Sequence, residues 1–121
     1  MSNVVKNARR LKIRRRVRSK VFGTAEKPRF CVFKSSKHVY AQLIDDEARI
    51  TLAAISTLSR EIRDESGSKS KMEKAGLIGE YLGKKAVEKG VTRAVFDRSG
   101  YKYHGIVKTI AEGARKKGLQ F

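Results

Sequence analysis

Tryptophan is absent from this 121-residue chain, cysteine and proline occur once each, and histidine occurs twice. Each scarcity excludes something. The single thiol, Cys31, closes no intramolecular disulfide and builds no cysteine metal site, which fits a reducing, cytoplasmic compartment. His38 and His104 sit in no pattern that suggests a nucleophilic triad. No Gly-rich phosphate loop followed by Lys-Ser/Thr is present. Apolar runs fall far short of the roughly 18 residues that would span a bilayer. No apolar block follows the N-terminal cations, so the start does not read as a secretory signal. Ser19 is the only serine in residues 4–20, too few for an organellar transit peptide.

Negative charge is scarcest where positive charge is densest. No acid precedes Glu26, and residues 9–20, RRLKIRRRVRSK, hold eight cations among twelve residues. Residues 1–40 carry thirteen Lys and Arg against that one acid, a net of +12; residues 41–121 carry sixteen against eleven, a net of +5. A surface that merely aids solubility mixes both signs. A self-repelling cationic end implies a polyanion partner, and contact with a phosphate backbone fits. Such contacts set affinity and salt dependence while carrying little sequence information. The candidates are Arg9, Arg10, Lys12, Arg14, Arg15, Arg16, Arg18 and Lys20, followed by Lys27 and Arg29. Among them Ile13, Val17 and Val21 recur at helical spacing, as do Val4, Ala8 and Leu11. Repulsion predicts an arm that is frayed when free and helical on phosphates. Leu11, Ile13 and Val17 would then lie on the body or a neighbour.

Gly23-Thr24 and Pro28 separate a basic extension, residues 1–24, from a globular domain, residues 25–121. Arg29–Lys34 (RFCVFK) is aromatic and β-branched, a strand; Ser35-Ser36 suits a turn. Residues 37–44 alternate, with Val39, Ala41 and Leu43 on one side and His38, Tyr40 and Gln42 on the other. Asp45-Asp46-Glu47 turns into a third strand, Arg49–Ser56. Residues 57–70 read as a surface loop with room for one extra helical turn. Residues 71–89 form the strongest helix, with Ala75, Ile78, Leu82 and Ala86 on one face. Gly76, Gly79 and Gly83 weaken it by about 1 kcal/mol each relative to Ala, and their grouping predicts close approach to the sheet. Gly90 caps it. Val91–Asp97 is expected to be a strand paired in parallel through a crossover. Arg98-Ser99-Gly100 turns into a second amphipathic helix, Gly105–Lys117, closed by Gly118. The fold class is α/β: a small mixed sheet in the order β-β-β-α-β-α with helices packed on it, preceded by a basic, flexible extension.

Two further groups suit RNA. Lys34, Ser35, Ser36 and Lys37 at a hairpin tip, with His38, Tyr40 and Gln42 along the strand, combine rings, an amide and cations. Unstacked bases can lie on such rings. Around a glycine turn stand Arg98, Tyr101, Lys102, Tyr103 and His104, just before a helix N-terminus. The alternative for both is structural: Tyr40 under a helix, the loop tyrosines as lids on the core. Asp45, Asp46 and Asp97 raise a Mg-dependent nuclease as a rival, although a turn-forming Asp pair is common. No catalytic residue, metal ligand or cofactor is expected.

PRFCVFKSSKHVYAQLIDD, then TLAAISTLS, then GLIGEYLGKKAVEKGVTRAVFDRSGYKYHGIVKTIAEGARKKGLQF, resemble the bacterial large-subunit ribosomal protein eighteen family, the 5S rRNA-binding proteins, from about residue 9 onward. The resemblance implies an α/β body with a basic arm, docked on 5S rRNA in the central protuberance beside ribosomal protein five and helping attach 5S to 23S rRNA. It implies no membrane, small-molecule substrate or homo-oligomer. It places RNA contacts on the arm, on Ser35–Gln42 and on Arg98–His104. Where this chain has Lys34, Ser36 and Ser99, members often carry Arg, Asn and Gly. Lys34 therefore lacks a bidentate fork, and Ser99 makes a positive φ costlier. A general RNA chaperone is the main alternative.

Overall fold

The structure, a computed structural model, describes residues 8–13, 15, 21–67 and 69–121. Residues 8–13 are helical (α1). The body follows as β1 (Arg29–Lys34), β2 (Val39–Asp45), β3 (Ile50–Ser56), α2 (Arg60–Ser66), α3 (Lys71–Glu88), β4 (Val95–Asp97) and α4 (Ile106–Lys116). The strands form one sheet in the order β3-β2-β1-β4. β1–β2 and β2–β3 are antiparallel, and β4 joins the far edge of β1 in parallel, as the crossover expectation required.

Alternation decides which face is buried. Phe30, Val32, Val39, Ala41, Leu43, Ala53 and Ile55 share the inner face and form the core with Ala75, Ile78, Leu82 and Ala86 of α3 and Val107, Ile110 and Ala114 of α4. The extra turn expected in residues 57–70 is α2, which sinks Ile62 into the core. Phe30, Phe96 and Phe121 gather at the β4 edge with ring centroids 5.3 to 5.4 Å apart. Among the described residues no helix is long and apolar enough to cross a membrane.

Helix ends follow capping chemistry. Ser70 caps the start of α3: its Oγ accepts from Glu73 N and donates to Glu73 Oε1. Both long helices end in Schellman motifs. Gly90 N donates to Val87 O and Val91 N to Ala86 O; Gly118 N donates to Arg115 O and Leu119 N to Ala114 O. Gly90 and Gly118 have φ of 79° and 104°, as such closures require.

Two expectations need correction. The fourth strand begins at Val95 rather than Val91, because Val91 is taken up by the α3 cap and Arg93 bridges to Gln120 instead of β1. The α3 glycines approach α4, not the sheet. A Cβ on Gly79 would lie 2.1 Å from Ile110 O, and one on Gly83 2.8 Å from Ala114 O. Gly113 of α4 returns the fit against Gly76 O. Missing Cβ atoms let the two backbones touch, so the helices pack as one layer over the sheet.

Candidate nucleic-acid interface

Because both long helices lie on the inner face, the outer face of the sheet stands open among the described residues. Cys31 pairs across strands with Gln42, and Phe33 with Tyr40, so these four share that face and line a shallow groove. The Phe33 and Tyr40 rings pack at 5.8 Å, and Phe33 keeps 46 % of its surface exposed. Gln42 is exposed and Tyr40 half-buried on this face, and among the described residues neither long helix covers Tyr40, against the alternative that places it under a helix. His38 is half-buried beside the face, its Nδ1 3.0 Å from Thr57 Oγ1.

The hairpin tip adds cations. Lys34, Ser35, Ser36 and Lys37 are all exposed. Ser35 N donates to His38 O and His38 N to Ser35 Oγ, a tight closure that pushes the lysines outward. Tyr101 reaches the tip from the far loop: its hydroxyl accepts from Lys34 N at 3.3 Å and donates to Lys34 O at 3.1 Å. Arg10 of α1 donates to the same hydroxyl from Nη1 at 2.6 Å, with its guanidinium carbon 5.0 Å from the Tyr101 ring centre and 6.0 Å from that of Phe33. The arm is thus anchored to the body by cation–π stacking and a charge-assisted hydrogen bond.

The 97–105 loop is held from below. Asp97 Oδ1 accepts from Ser99 N at 2.8 Å, and Arg98 Nη1 donates to Tyr101 O at 2.7 Å. Ser99 does take a positive φ, 55°, the strain its side chain was expected to bear. Lys102, Tyr103 and His104 are exposed on the rim. Tyr103 leans edge-on against Phe96 and accepts from Arg115 Nη1 at 2.8 Å, so it is both lid and surface.

Arg29 must be removed from the interface. It is 7 % exposed, and its Nε and Nη2 both donate to Asp46 at 3.0 Å while Nη1 donates to Asp97 at 2.9 Å. The Asp46 hydrogen bonds push its pKa up, burial opposes them, and Asp97 adds to the rise. Two of the three carboxylates considered for a metal, Asp46 and Asp97, do meet, but around this guanidinium. Asp45 is turned to its own loop, accepting from Glu47 N and Ala48 N. Among the described residues no cluster of three His, Cys, Asp or Glu exists to hold an ion.

Of the remaining arm candidates, Arg9, Lys12 and Arg15 are exposed, as is Lys27. Arg14, Arg16, Arg18 and Lys20 lie outside the described residues. Leu11 is 44 % exposed and Ile13 half-buried; Val17 lies outside the described residues. Sequence reasoning missed Lys71, whose Nζ donates to Ser35 O and Ser36 O at 3.2 Å each and ties α3 to the tip. It also missed Arg115, which grips Phe121 O and stacks 4.4 Å from the Phe121 ring centre. A basic residue in a basic protein carries no local mark of such contacts.

Comparison with known proteins is consistent with this surface. Residues 4–121 match the family model described as ribosomal L18 of archaea, bacteria, mitochondria and chloroplast. The chain is 57 % identical over 116 residues to large ribosomal subunit protein uL18 of Finegoldia magna, covering 96 % of this chain and 95 % of that protein. It is 53 % identical over 116 residues to the uL18 of Thermotoga neapolitana, with the same coverage. With the uL18 of Staphylococcus carnosus it shares 50 % over 121 residues, 100 % of this chain and 99 % of the relative.

Proposed function

The chain belongs to the ribosomal L18 family, and on that premise we propose that it binds 5S rRNA and helps attach it to 23S rRNA in the central protuberance of the large ribosomal subunit, beside ribosomal protein five. It is a structural constituent of the ribosome and not an enzyme. The division of labour is between an arm, residues 1–24, and a body, residues 25–121. The arm neutralises phosphates along a structured RNA. The body selects that RNA by shape and by unstacked bases laid on the Phe33–Tyr40 face.

One observation carries this function: Arg10 stacked on Tyr101 and beside Phe33. That contact makes the acid-free cationic tract continuous with an open aromatic sheet face. A polyanion with accessible bases satisfies both halves, and an acidic peptide would leave the face unused.

The test compares 5S rRNA with an unrelated RNA of equal length. At raised salt, where phosphate contacts weaken, 5S rRNA should retain tighter binding. Equal affinities would reduce the protein to a sequence-tolerant RNA chaperone.

A further inference from the structure

We propose that Lys71, with Arg10 and Lys34, seats one backbone phosphate of the bound RNA in the notch between the hairpin tip and Tyr101, while that nucleotide's base lies on Phe33 and Tyr40. The site rests on the RNA-binding function above and extends it to α3, which supplied none of the expected contacts.

The three cations come from distant parts of the chain and line one open notch of about 380 Å³ together with Phe33, Ser35, Ser36 and Tyr101. No carboxylate lines it. None of the ion pairs among the described residues uses Arg10, Lys34 or Lys71. Two of these charges are held to a single ring, with Lys34 Nζ 5.3 Å and the Arg10 guanidinium 5.0 Å from the Tyr101 centre. Like charges converging without an acid repel one another, and a shared anion reverses the sign of that interaction. The acid in the first turn of α3, Glu73, is turned back onto the capping hydroxyl of Ser70. An ammonium has three donors, and Lys71 gives two to the tip carbonyls, leaving one for a ligand.

Phe33 identifies the ligand as a nucleotide rather than a bare anion. Its ring borders both the cationic notch and the open groove that it shares with Cys31, Tyr40 and Gln42. A phosphate in the notch therefore places its own base over the outward-facing Phe33–Tyr40 pair, the arrangement that single-stranded RNA recognition uses.

The experiment measures 5S rRNA binding of the full chain across about 0.1 to 0.4 M salt. Lys71→Gln should lower affinity about tenfold and reduce the salt slope by about one, whereas Lys71→Arg should keep both near wild type. Wild-type slope and affinity in Lys71→Gln would overturn the site, and so would equal losses in both variants, which would mark the tip tether alone. Should Lys71→Gln fail to fold, lysine acetylation of the wild-type complex decides. RNA should protect Lys34 and Lys71 but not Lys108 on α4; a reactive Lys71 in the complex overturns the proposal. If wild type bound 5S and unrelated RNA equally while Lys71→Gln still lost its slope, the 5S specificity would fall and the phosphate seat would stand.

Discussion

A guanidinium that is nearly sealed from water needs every donor answered, and Arg29 finds its answers 17 and 68 residues away. Nothing near RFCVFK distinguishes it from the arginines of the arm, so in sequence it reads as another phosphate ligand. Only the pairing of β1 with β2 and β4 brings Asp46 and Asp97 to it. Asp46 also accepts from Gly23 N at 2.7 Å, so one buried node fixes the root of the arm and the base of the 97–105 loop. The pKa of Arg29 is raised in the fold, so its contribution is complete below the unfolded value and lost only as pH climbs through the folded one. Both values lie above the range in which proteins are handled, so Arg29 stays charged throughout. Arg29→Met would strand Asp97, which is 1 % exposed, and should cost about 3–5 kcal/mol in urea unfolding. Arg29→Lys should recover part of that, lacking the planar fork. Wild-type stability in the Met variant would show that the node does not hold the loop.

At the scale of elements, what was legible followed from period and punctuation. The bounds of β1 came directly from RFCVFK, and the alternation in KHVYAQLI placed Val39, Ala41 and Leu43 inside as observed. The α3 stripe and both glycine caps were equally readable. The partner of the α3 glycines was not, because a small-residue stripe reports close contact without naming the surface that makes it. The geometry separates these glycines sharply. At Gly76 a Cβ would meet only the Thr109 methyl at 3.7 Å, an ordinary contact, whereas at Gly79 it would strike the Ile110 carbonyl. Gly76→Ala should therefore stabilise by about 0.5–1 kcal/mol through helix propensity. Gly79→Ala should destabilise by about 1–3 kcal/mol or more as the α3–α4 pair is forced apart. Thermal unfolding of the two variants reads the difference. Parallel shifts of the same sign would show that helix propensity, not backbone contact, governs this face.

The molecule as a whole separates stability from charge. Among the described residues, the largest fully buried side chains run from Pro28 through Phe30, Leu43 and Ile62 to Leu119, and none lies in α1. Within the described part of residues 1–20, Arg10 touches the body at Tyr101 and Phe33, and Leu11 remains exposed. Removing residues 1–20 should therefore leave the unfolding transition in place. Affinity should behave quite differently. Nine cations are lost, and at about 0.7 to 0.9 in salt slope per phosphate contact the dependence should flatten by about 6 to 8 if all engage RNA. Because phosphate contacts carry little sequence information, binding to 5S rRNA and to an unrelated RNA should weaken together. The ratio between them should survive, since the Phe33–Tyr40 face remains on the truncated body, as do Lys34, Lys71 and Tyr101 of the notch, which loses only Arg10. If the ratio collapsed while the fold persisted, discrimination would reside in the arm, and the open sheet face would be a platform that the RNA does not read.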